Sequence, residues 1–106
     1  MADFDYTDAL DMLMCITLQN KKNNYAKFKD FIHELRLTFD NSSNRSTGEL
    51  KINLKEIMQI AKNNNDGICV SCTTILLNKL SEIDGTKEIY PIPSNVFWVI
   101  NGNECN

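Results

Sequence analysis

The sequence predicts a mainly α fold closed by a small β-hairpin, an α+β arrangement filling one domain over residues 1–106. Three observations carry that reading. Phe28, Phe31, Ile32, Leu35 and Phe39 recur at i, i+3, i+4, i+7 and i+11, which lines up one helix face. Cys69, Cys72, Leu76, Leu80 and Ile83 keep helical spacing over four turns, too long for an ordinary strand. Near the end, two short runs, Lys87 to Ile92 and Val96 to Ile100, flank Pro93-Ser94-Asn95 and read as a hairpin.

The elements follow in order. Residues 1–22 form an extra N-terminal helix, with Tyr6, Leu10, Leu13, Met14 and Leu18 near one face. Asp5 or Thr7 can accept the free amides of its first turn, and its aspartates suit the positive end of the helix dipole. Asn23-Asn24 interrupts the pattern, and a second helix runs from about Tyr25 to Phe39. A polar loop from Asp40 to Gly48 has nothing to bury. Leu50-Lys51-Ile52-Asn53 alternates like a brief strand, and Asn53 with Glu56 then caps a helix from Leu54 to about Lys62. Asn63-Asn64-Asn65-Asp66-Gly67 makes a tight turn, because these residues tolerate left-handed backbone angles. The helix from Ile68 to about Ile83 stops at Asp84-Gly85. Pro91 has no amide hydrogen, so its strand belongs at an edge. Residues 101–106 read as a tail.

Composition narrows the functional classes. Residues 1–20 hold Asp3, Asp5, Asp8 and Asp11 and no base, whereas residues 21–106 hold 11 bases against 10 acids. An acidic leader on a nearly neutral body is not a polybasic nucleic-acid surface. No run approaches the ~18 apolar residues of a membrane span, and the acidic start is the reverse of a signal peptide, so a cytoplasmic protein is expected. With no export signal, the four cysteines read as free thiols. Cys69-Val70-Ser71-Cys72 has the spacing of a zinc or redox pair, but no second pair or histidine cluster accompanies it. His33 is the one histidine and has no nucleophile or carboxylate signature beside it. Glycine-rich phosphate loops are absent. The expectation is a non-enzymatic binding protein with no catalytic residue, metal or cofactor.

Over residues 25–100 the order helix, short strand, helix, tight turn, helix, hairpin resembles the winged helix-turn-helix domain. The stretch closest to that pattern is Leu54 to Lys62, then the turn, then Thr73 to Gly85, with Phe97-Trp98-Val99-Ile100 as the last strand of the wing. The resemblance is one of pattern and carries no diagnostic motif. It implies a DNA-binding transcriptional regulator whose second helix enters the major groove. The helix would present Val70, Ser71, Thr74, Asn78 and Ser81, of which Asn78 suits adenine and Ser71 and Thr74 assist. Phosphate contacts are expected from Lys51, Lys55, Lys79 and Lys87, with Arg45 as a further base. The departure from the family is that none of the groove-facing residues is Arg or Lys. A homodimer paired through the N-terminal helix completes this reading.

The competing expectation is a protein-binding inhibitor: an immunity protein or antitoxin that neutralises a toxin or nuclease, or a phage anti-defence factor. There the acidic Asp3, Asp5, Asp8 and Asp11 meet a basic partner, and an outward Trp98 supplies an aromatic anchor.

Overall fold

A computed structural model describes residues 5–19, 25–40, 47–86 and 89–91. Among them are four α-helices, α1 (Tyr6–Gln19), α2 (Lys29–Phe39), α3 (Thr47–Asn63) and α4 (Gly67–Asp84), with a single 3-10 turn, Tyr25–Phe28, leading into α2. No strand occurs among the described residues, so the expected α+β, winged-helix-like class is corrected to all-α. Ile89 to Pro91, in the first arm of the expected hairpin, is neither helix nor strand, and residues 92–106 lie outside the described residues.

Asp5 starts α1. Its Oδ1 accepts the N–H groups of Thr7 (3.0 Å) and Asp8 (3.1 Å), while Asp8 Oδ2 accepts the Asp5 N–H at 3.1 Å. This is a reciprocal capping box with aspartate in the glutamate place. The Asp8 N–H, followed by the Thr7 side chain, holds the Asp5 carboxyl below its ordinary range. Ala9, Leu10 and Leu13 are fully buried on the inner face of α1, and Thr17 joins them by donating Oγ1–H back to the Met14 carbonyl at 2.8 Å. The helix read as an addition to the body is therefore part of the core, packed on α4 and α2.

Phe28, Phe31, Ile32 and Leu35 are buried at the expected spacing. Phe39 meets Tyr6 edge-on with ring centroids 5.0 Å apart, which ties the end of α2 to the start of α1.

The strand expected over 50–53 is instead the second turn of α3. Leu50, Leu54, Ile57 and Ala61 are all buried at spacings of four, three and four, one continuous helical stripe. Alternation at Leu50 and Ile52 rested on two apolar residues, and the helix reverses it. Ile52 is 69 % exposed, whereas Lys51 is buried. Asn53, expected as a cap, lies inside the helix and donates Nδ2–H to the Glu49 carbonyl at 3.1 Å.

The turn after α3 is where the sequence places it. Asn65 takes a left-handed φ of 56°, and the Asp66 N–H donates to the Ala61 carbonyl at 2.8 Å. Asp66 then caps α4 by accepting the Cys69 N–H at 3.1 Å. α4 ends at Gly85, whose φ of 76° is the left-handed closure that glycine adopts without strain.

α4 is the central helix. Cys69, Cys72, Leu76, Leu77 and Leu80 are fully buried, and so are Ser71 and Thr73. α3 and α1 pack along it. A helix covered on nearly all sides must be neutral all round, and α4 carries no charged residue before Lys79.

Candidate functional site

The residues expected to read DNA are not gathered on one surface. Ser71 is fully buried and its hydroxyl has no hydrogen-bond partner. Thr74 is also buried, its Oγ1–H donated to the Val70 carbonyl at 2.7 Å. Asn78 is half-buried and engaged with the main chain of Tyr90. A face that is covered cannot approach base edges. For Thr74 the misreading has a physical source: a short hydroxyl side chain that bonds back to its own helix tolerates burial.

The expected phosphate-binding lysines have structural partners as well. Lys51 Nζ lies 2.9 Å from Asp84 Oδ2 and donates to Thr86 Oγ1 at 3.0 Å. Lys79 pairs with Glu82 at 3.5 Å and sits 4.6 Å from the centroid of the Tyr6 ring. Lys55 is exposed, with Nζ 5.7 Å from the Tyr90 ring centroid. Lys87 and Arg45 lie outside the described residues.

Around Asp84 the structure assembles a junction that no local signal in the sequence marks. Its carboxylate meets the Lys51 ammonium and accepts hydrogen bonds from Thr47 Oγ1 at 3.1 Å and the Thr86 N–H at 3.0 Å. Those donors, the Lys51 ammonium first and the Thr86 N–H next, hold the Asp84 carboxyl well below its ordinary value. The start of α3, the end of α4 and the segment after it meet here. In sequence, Asp84 beside Gly85 reads as a helix stop and nothing more.

The acidic residues behave differently. Asp5, Asp8 and Asp11 are all exposed on α1. Asp11 forms an ion pair with Arg36 of α2. Asp3 and Trp98 lie outside the described residues. Inner and outer faces of α1 are thus cleanly divided, Leu10 and Leu13 toward α4 and the carboxylates toward solvent.

Comparison with protein-family models, characterised proteins and solved structures finds no match to this chain. Its function has to be read from its own surfaces.

The thiols and His33 offer no assembled chemistry. Cys69 and Cys72 are buried free cysteines, and burial, with Cys69 beside it, pushes the Cys72 thiol far above its ordinary value, away from a reactive thiolate. Cys15 is disulfide-bonded, which corrects the expectation of a free thiol there. His33 is exposed on α2. Among the described residues, no group of three or more His, Cys, Asp or Glu side chains could hold a metal ion. No described helix is long and apolar enough to cross a membrane.

Proposed function

We propose that this chain acts without chemistry of its own, by binding a basic protein partner through the outer face of α1. The reading is that of a direct-contact inhibitor, such as an immunity protein, an antitoxin or a phage anti-defence factor, and a cytoplasmic encounter is part of it. The observation that carries it is the seating of α1. Leu10 and Leu13 are fully buried in the chain's own core, so the apolar side on which a helix-paired dimer depends is already covered. What α1 presents outward is Asp5, Asp8 and Asp11 on a rigid, capped support. Carboxylates held in place around a low-dielectric core steer a basic surface into register and repel acidic competitors. The burial of Ser71 and Thr74 favours this reading over groove recognition by α4.

The test compares the wild-type chain with the double variant Asp8→Asn/Asp11→Asn. Immobilised wild-type chain retains a basic protein from its own cells at low salt, and raised salt or the double substitution releases it. Retention that survives both changes contradicts the proposal. Random duplex DNA serves as the control: electrophoresis at low salt shows no retardation, whereas retardation that weakens steeply with salt would favour a nucleic-acid partner.

A further inference from the structure

Asn78 grips Tyr90 by both of its main-chain groups. Its Nδ2–H donates to the Tyr90 carbonyl at 2.9 Å, and its Oδ1 accepts the Tyr90 N–H at 2.7 Å. A side-chain amide used this way satisfies both main-chain groups of one residue as a neighbouring strand would, and reads backbone rather than sequence. The next residue, Pro91, has no N–H, so Tyr90 is the last amide donor that Asn78 can engage in this direction. The tyrosine ring lies against the core, with Lys55 of α3 placed over it. Ile89, its other neighbour, is 85 % exposed, so the hold centres on Tyr90.

The face of α4 that carries Asn78 is unusual for an internal helix. Ser71, Thr74, Asn78 and Ser81 recur at spacings of three, four and three, a polar stripe on a helix otherwise filled with Leu, Ile and Cys. Ser71 Oγ and Ser81 Oγ are both buried with no hydrogen-bond partner. Packing alone would place apolar side chains there, since an unmade buried hydrogen bond is unfavourable.

We infer that the surface of α3 and α4 around Lys55 and Asn78 is a peptide-binding site, held in this structure by the chain's own Ile89–Pro91, and that it takes in exchange an extended tyrosine–proline segment of a partner protein. The two main-chain hydrogen bonds to Asn78 and the Lys55 ammonium over the ring do not depend on Tyr90 being joined to α4, and are the same for a tethered or a free segment. The tether keeps the resident segment at high effective concentration, so an incoming peptide binds only when it outcompetes it or when the resident is released. This site is separate from the acidic face of α1 and does not rest on the function proposed for that face.

The test weakens the resident while leaving Asn78 and Lys55 in place. In the full chain, Tyr90→Pro removes both the amide donor and the ring from the resident segment. A fluorescently labelled synthetic peptide copying residues 86–94 then binds the folded variant saturably, measured by anisotropy. The same peptide with an N-methyl group on its tyrosine amide binds at least about tenfold more weakly, because the bond to Asn78 Oδ1 is lost. Asn78→Ala in the Tyr90→Pro background loses the difference between the two peptides. Absence of saturable binding, or equal binding of the two peptides to folded Tyr90→Pro, overturns the inference. If that variant does not fold, hydrogen exchange on the wild-type chain decides: the Tyr90 amide exchanges at least about 100-fold faster than the Leu76 amide, through release of the segment without unfolding. Equal protection of the two amides would show that the segment is fixed core and would overturn it.

Discussion

α1 and α4 each carry a polar stripe opposite an apolar one, yet one stripe faces solvent and the other lies inside the protein. On α1 the stripe is Asp5, Asp8 and Asp11, all exposed. On α4 it is Ser71, Thr74, Asn78 and Ser81, of which Ser71, Thr74 and Ser81 are buried. The difference lies in what each group demands when water is removed. A threonine hydroxyl finds a partner on its own helix, as Thr73 and Thr74 do at the Cys69 and Val70 carbonyls. A carboxylate has no such local solution and loses several kcal/mol of hydration if buried unpaired. Stripes of small hydroxyls are therefore compatible with either side of a helix, and stripes of aspartate are not.

The largest test of that contrast is to place a carboxylate in each position. Thr74→Glu on α4 should lower stability by at least about 3 kcal/mol in urea unfolding, or prevent folding, because the charge has no partner there. Thr7→Glu in the first turn of α1 should leave the midpoint within about 0.5 kcal/mol, since an acid near a helix N-terminus is favourable. Equal effects of the two substitutions would remove the distinction between the helices.

A smaller effect separates carboxylates by what they touch. Asp84 is contacted by Lys51, Thr47 and the Thr86 N–H, with its folded pKa below its ordinary value of 3.8. Its contribution to stability is therefore complete above that unfolded value and is lost as pH falls below it toward the folded one. Urea midpoints measured between about pH 5 and pH 2 should fall in the wild type, and Asp84→Asn should flatten that fall.

Weaker again is the effect of removing an unpartnered hydroxyl. Ser71→Ala should keep stability within about 1 kcal/mol of wild type, on the stabilising side, because the Oγ it deletes is buried without a bond. Smallest of all is Asp8→Asn/Asp11→Asn, which should shift stability by less than about 0.5 kcal/mol. A surface pair with Arg36 contributes little to the fold, so loss of partner binding in that variant reports on the interface.

Parts of this architecture are legible in the residues themselves. The buried stripe of Phe28, Phe31, Ile32 and Leu35, the turn around Asn65 and the stop at Gly85 come from periodicity and backbone tolerance, which are local. Residues 50–53 mislead because two apolar residues at a spacing of two compete with a helical stripe that becomes clear only when Leu50 is read together with Leu54, Ile57 and Ala61. The interior position of α4 is not legible, because Ser and Thr carry no marker of which side they face. Neither the Lys51–Asp84 junction nor the grip of Asn78 on Tyr90 has a sequence signal, since each joins residues brought together by the fold alone. The acidic face of α1 is readable for the opposite reason: charge declares its side.

The polar face of α4 is interior, and the acidic face of α1 is the open one. Cysteines introduced as Thr74→Cys and Asp8→Cys test this in the folded chain, with maleimide labelling followed at each position, apart from the four native cysteines, by peptide mass spectrometry. The thiol at position 8 should label at the rate of an exposed thiol. The thiol at position 74 should label at least about 100-fold more slowly, through opening of the structure. Comparable rates at the two positions would contradict it and return α4 to the surface.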